Sequence, residues 1–146
     1  MTMPFVKVHL HLVWTTKNRI PFLSTPELRQ KVWTHIRENS REKGLFVDFV
    51  NGYDDHCHVL LSLGADQTIE KSIQLIKGEC AYWINKNQLC EERFSWQREY
   101  WAASVSESAL PNVRNYIKNQ EAHHRKKNFQ TELDWFIQEY GFQQSE

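Results

Sequence analysis

The sequence is short of several things at once. It has no run of eighteen consecutive apolar residues, so no membrane-spanning helix is expected. Its N-terminus lacks the charged-then-apolar pattern of a secretory signal. The cysteines Cys57, Cys80 and Cys90 are odd in number and share no CxxC spacing, so neither a disulfide framework nor a structural zinc site is indicated. An excess of charge is missing too: 18 Lys and Arg balance 18 Asp and Glu. That neutrality argues against tight, nonspecific binding of a polyanion over the whole surface. Repeats and low-complexity segments are also absent. Together these absences leave a cytoplasmic protein with reduced thiols and no membrane partner as the expectation.

What is present is the material of a core. Apolar residues make up 40% and aromatics 13% of the chain, with six Trp among its 146 residues. That length fits a single domain spanning 1–146. The one concentration of positive charge runs from Arg114 to Lys127, where Arg114, Lys118, Arg125, Lys126 and Lys127 face a single acid, Glu121.

Periodicity divides the chain into alternating strands and helices. Residues 5–14 alternate, with Val6, Val8, Leu10 and Leu12 on one face and Lys7, His9, His11 and Val13 on the other. Ser24-Thr25-Pro26-Glu27 is a helix start, Leu28, Val32 and Ile36 recur every four residues, and Gly44 is the stop. Strands are expected at 45–50 and 56–63, separated by NGYDD. Asp66 is the expected cap of a second helix, with Ile69, Ile73, Ile76, Cys80 and Trp83 or Ile84 inward; polar residues 85–93 lead out of it. A fourth strand is expected near 98–106, and a helix from Ser108 to about 121 packs through Leu110, Val113 and Ile117. A short helix near 131–140 ends at Gly141. The order β-α-β-β-α-β plus C-terminal helices predicts an α+β, ferredoxin-like antiparallel sheet with helices on one face and the other face open.

Two patterns carry chemistry. His56-Cys57-His58 lies on a strand, so both imidazoles share one face about 7 Å apart along the backbone, while Cys57 points toward the helices. Such a pair is able to hold one metal ion, with Asp55 next to it in sequence as a supporting partner. The pattern is short, and His9 and His11 repeat it on the first strand. Tyr116 and Gln120 stand four apart on the third helix, expected to face outward beside a Val113–Ile117 anchoring stripe. On its own that pair would be a packing Tyr and a solvated Gln.

Longer stretches weigh on the choice. HLVWTTKNR, DHCHVLLSL, IQLIKGE and WQREYWAASVSESALPNVRNYIKNQEAHHRKKNFQ, in that order, resemble the insertion sequence 200/605 family of single-tyrosine HUH transposases over residues 7 to 140. The resemblance implies that Tyr116 is the nucleophile and that His56, His58 and Gln120 hold a divalent metal, Mg²⁺ or Mn²⁺. It also implies single-stranded DNA with hairpin ends as substrate, and a homodimer in which Tyr116 of one subunit completes the site of the other. Action in a prokaryotic cell at the nucleoid follows as well. Cys57 suits the central position of the histidine pair, and Trp101 after Tyr100 departs from the family pattern. Lys17, Arg19, Lys77, Arg114, Lys118, Arg125, Lys126 and Lys127 are candidate DNA contacts, and His11 and Asp55 candidate supporting groups at the metal. Two rival readings share the fold: a domesticated or non-catalytic single-stranded nucleic-acid binder, and a metal-dependent phosphodiesterase that has no use for Tyr116.

Overall fold

The structure, a computed structural model, describes residues 5–124. Its strands are β1 (Val8–Thr15), β2 (Phe46–Gly52), β3 (His56–Leu63) and β4 (Trp101–Val105). Its α-helices are α1 (Pro26–Glu42), α2 (Ile69–Lys86), α3 (Leu110–Lys118) and α4 (Gln120–His124). The strands form one sheet in the order β2-β3-β1-β4, antiparallel throughout. This is the predicted ferredoxin-like arrangement, with β3 inserted between β1 and the strand that follows α1. The expected helix at 131–140 lies outside the described residues.

Local chemistry sets the ends of the elements. Thr25 caps α1 by accepting from the Leu28 amide at 3.2 Å, with Pro26 at the first helical position. At the other end Leu45 N–H reaches Ser40 O at 2.8 Å and Gly44 N–H reaches Arg41 O at 3.0 Å. These two bonds close a Schellman motif, for which Gly44 supplies a φ of 77°. The cap of α2 is Thr68, whose hydroxyl accepts from Lys71 N–H at 3.2 Å, and not the expected Asp66. Starting the helix there leaves Ile69, expected inward, 37% exposed in the first turn. The fourth strand is shorter than expected. Ser108 opens no α-helix: it lies in a 3-10 turn over Glu107–Ala109 that leads into α3.

The sheet separates two apolar clusters. On one face Leu10, Leu12 and Trp14 of β1 and Cys57, Val59 and Leu61 of β3 meet Val32, Trp33 and Ile36 of α1 and Ile73, Ile76, Cys80 and Ile84 of α2. The other face was expected to be open, but α3 lies on it. Leu60, Val105 and partly buried Phe49 pack there against Leu110, Val113, Tyr116 and Ile117. The reason is periodicity: 113, 116 and 117 share one face of α3, and two of them are apolar enough to demand burial. Tyr116 faces inward with them, and Gln120, at the start of α4, is turned inward as well, contrary to the outward orientation expected; their exposures are 8% and 0%.

Candidate active site

The site lies on the α3 face. The register sets Asn51, His58, Val13 and Trp101 in one row across the four strands and pairs Thr15 with His56 two residues along, on the same face. The hairpin that presents His56 is tight: a Cβ at Gly52 would collide with the His56 carbonyl, so only glycine fits. Asp55 follows in that turn, and its backbone carbonyl accepts from Thr16 N–H at 2.9 Å, tying the turn to the end of β1.

Both histidines of β3 are fully buried, with ring centroids 5.1 Å apart. His56 Nδ1–H donates to Asp55 Oδ1 at 2.9 Å. That bond assigns the ring proton, because a carboxylate only accepts; in the neutral ring it leaves a lone pair on Nε2. Facing Nε2 at 3.1 Å is Gln120 Oε1. The amide orientation is itself supported, since Gln120 Nε2 donates to the Tyr116 carbonyl at 3.3 Å. Two lone-pair atoms turned toward each other favour a shared cation, proton or metal. Nitrogen and amide oxygen are donors that a divalent ion accepts, so these residues fit such a group. Among the described residues no three His, Cys, Asp or Glu side chains group together, and the polar group nearest His56 Nε2 is the Gln120 amide.

The second histidine is supported differently. His58 Nδ1 and His11 Nε2 are 3.0 Å apart, and His11 is itself 1% exposed. Tyr116 closes the group, its ring centroid 5.7 Å from that of His58 and 6.3 Å from that of His11, both edge-on. One chain therefore brings together Tyr116, His56, His58, Gln120, Asp55 and His11.

With this geometry in view, residues 4–120 match the family described as Transposase IS200 like. The chain belongs to that family. Among relatives, the ISDra2 transposase TnpA of Deinococcus radiodurans is 28% identical over 119 residues, covering 78% of this chain and 84% of that protein. A crystal structure of a Deinococcus radiodurans R1 protein assigned as a transposase superposes with a TM-score of 0.65 at 23% identity, over 82% of this chain and 95% of that one. The REP-associated tyrosine transposase bound to a REP hairpin superposes with a TM-score of 0.60 at 16% identity, over 85% and 73%. At those identities the two structures speak for the fold, and they agree with the α+β architecture read from the sequence.

Other residues singled out in this IS200-like transposase chain fall in three places. Arg19 reaches the site's edge, its Nε 3.7 Å from Asp55 Oδ2, and Lys17 is exposed in the same turn. Arg114 pairs with Asp48 of β2 at 2.8 and 2.9 Å, pinning α3 to the sheet, while Lys118 is exposed. Lys77 lies on the opposite side, above the Trp14 ring; its ammonium donates to the carbonyls of Gln97 and Arg98, and burial lowers its pKa. The structure thus does not bring Lys77 to the histidines. Arg125, Lys126 and Lys127 lie outside the described residues. Burial pushes the thiols of Cys57 and Cys80 up, so neither is a nucleophile at neutral pH.

The sequence reading missed Asn51 and Arg29. The helix expected to run to 121 stops at Lys118; Asn119 leaves helical geometry and Gln120 starts α4. Asn51 Nδ2 donates to Ile117 O at 2.9 Å and Lys118 O at 3.1 Å, satisfying carbonyls that the break exposes. For Arg29 a signal existed: it shares the buried stripe of Val32, Trp33, Ile36 and Ser40 on α1. A charge on such a stripe needs a partner.

Proposed function

We propose that this chain cuts and rejoins single-stranded DNA through a covalent 5′-phosphotyrosine at Tyr116, with Mg²⁺ or Mn²⁺ held by His56, His58 and Gln120. The observation that carries the reading is the Tyr116 ring standing edge-on to His58 within a buried group that also holds His56 and Gln120. When bound, the divalent ion would neutralise phosphate charge and orient the scissile bond. The Tyr116 oxygen attacks phosphorus, the bond to the 3′ oxygen breaks, and that oxygen leaves as a hydroxyl while the phenol gives up its proton. The tyrosine ester keeps the phosphodiester's free energy, so a second 3′-hydroxyl reverses the step and joins DNA without ATP. Asp55 orients His56 and His11 supports His58, the role such partners play behind metal ligands.

The substrate follows by extension. A structural relative is described bound to a REP hairpin, and we infer hairpin-ended single strands here, met by Lys17, Arg19, Arg114, Lys118, Arg125, Lys126 and Lys127, with Lys77 a more distant contact. We further infer one domain over 1–146, a homodimer, and action in the cytoplasm at the nucleoid. No helix among the described residues is long and apolar enough to cross a membrane. Within one chain Tyr116 already stands beside its own histidine pair, so exchange between subunits would require α3 to move.

The test is incubation of the purified protein with labelled single-stranded DNA from the flanks of its own gene, plus Mn²⁺. A denaturation-resistant shifted band that disappears in Tyr116→Phe is expected. Cleavage that survives Tyr116→Phe would support the phosphodiesterase reading, and binding without cleavage under any divalent ion the binder.

A further inference from the structure

We propose that Arg29 and Glu121 form a latch that positions Gln120 against His56, making both positioning residues for the metal site. The inference rests on the metal reading above. It begins from the break in the C-terminal helix. Because α3 ends at Lys118 and Asn119 departs from helical geometry, with φ −97° and ψ 24°, helix continuity does not fix the direction of Gln120. Its amide donates to the Tyr116 carbonyl at 3.3 Å, and the chain around it carries further anchors.

The chain is pinned on both sides of that break. Upstream, Asn51 of β2 holds the Ile117 and Lys118 carbonyls while its own Oδ1 accepts from Gly52 N–H at 2.9 Å. Downstream the anchor is Arg29, a residue near the start of α1 that is 5% exposed. Its Nη1 donates to Leu23 O at 2.8 Å and its Nη2 to Glu121 Oε1 at 2.9 Å, and its centre lies 4.8 Å above the Tyr53 ring. Tyr53 belongs to the turn between β2 and β3. The arginine therefore runs from the α1 face past the hairpin that presents Asp55 and His56, and ends on the residue next to Gln120.

Burying a guanidinium is costly unless its donors are used. Capping the Leu23 carbonyl would not require a charge. The second arm does account for one, because a guanidinium that caps Leu23 with one nitrogen can still make a charge-assisted bond to the Glu121 carboxylate with the other. The result is a continuous chain of contacts from Arg29 through Glu121 and the adjoining peptide to Gln120 and His56 Nε2. A bridge that only stabilised the fold would affect Gln120 no more than any other residue.

The experiment measures Mn²⁺ affinity of the full chain by titration with detection of free Mn²⁺ by electron paramagnetic resonance, together with the thermal midpoint. The variants are Glu121→Ala, Glu121→Gln, Gln120→Ala, the Gln120→Ala/Glu121→Ala double and His58→Ala. Glu121 is 43% exposed at its side chain, so its replacements are expected to fold. Glu121→Ala should weaken Mn²⁺ binding roughly tenfold, the lower bound for loss of a group behind a ligand. Glu121→Gln, which still accepts from Arg29, should recover most of it. Glu121→Ala should add nothing in the Gln120→Ala background, because it acts only through that side chain. Unchanged affinity in Glu121→Ala, or an equal loss with and without Gln120, overturns the latch while His58→Ala still abolishes binding. Wild-type Mn²⁺ binding in His58→Ala overturns the metal reading and the latch with it. Should Glu121→Ala not fold, Arg29→Lys, which keeps the charge but not the fork, is read by the same criteria.

Discussion

The chain contains two His-x-His pairs on neighbouring strands, on the same face of one sheet, and they have come to different ends. His9 and His11 sit on β1, His56 and His58 on β3. Spacing and strand geometry are the same for both. The antiparallel register sets His9 opposite Ser62, at the end of the strand remote from His56. There it contacts Ser62 Oγ at 3.1 Å and the exposed Glu107 at 3.5 Å. His11 is drawn the other way, into contact with His58. The β3 pair lies where Asp55 is available from a tight turn and where Tyr116 and Gln120 close over it. The motif is the same; what differs is the cover that α3 and α4 supply.

This contrast can be broken by substitution, and the largest effect belongs to the nucleophile. Tyr116→Phe should reduce DNA cleavage by roughly 10³-fold or more, to background, while leaving the fold intact, as judged by single-turnover cleavage and circular dichroism. Next, His56→Ala or His58→Ala should abolish Mn²⁺-dependent cleavage, and chelation of the wild type should do the same reversibly. Asp55→Ala should cost about 10- to 100-fold in Mn²⁺ affinity, because His56 loses the partner that assigns its proton. If Asp55→Ala binds Mn²⁺ as the wild type does, the proton assignment is wrong. Asn51→Ala leaves two carbonyls at the end of α3 without their donor and should lower stability by about 1–3 kcal/mol, measured by urea unfolding. The smallest effect is expected for His9→Ala, within about 0.5 kcal/mol in stability and without consequence for Mn²⁺ affinity. A large loss of Mn²⁺ binding there would erase the distinction between the pairs.

Much of the fold was legible because its signals are local. The Thr25-Pro26 start and Gly44 stop of α1, the alternation of β1 and β3, and the inward Cys57 each follow from a few adjacent residues. Asp66 has the side chain of a cap, but the backbone turns helical only after Thr68, whose hydroxyl takes that place. Tyr116 and Gln120 are expected outward when Val113 and Ile117 alone anchor α3, but Tyr116 adjoins that stripe closely enough to be buried with it and Gln120 follows a break in the helix. The break at Asn119 has no strong sequence signal, since neither proline nor glycine marks it. The roles expected of Tyr116, His56, His58 and Gln120 rest on resemblance and not on spacing. Arg29 and Asn51 act across distant segments, so no motif announces them, although the charge on the buried stripe of α1 was visible.

The central claim is that Tyr116 attacks a phosphate held at its histidine pair. The most direct measurement is mass spectrometry of the protein digested after reaction with single-stranded DNA and Mn²⁺. The account predicts a nucleotide remnant, attached through its 5′ phosphate, on the peptide containing Tyr116. A remnant on a peptide carrying Tyr53, Tyr82 or Tyr100 instead, or cleaved DNA with no modified peptide, would contradict it.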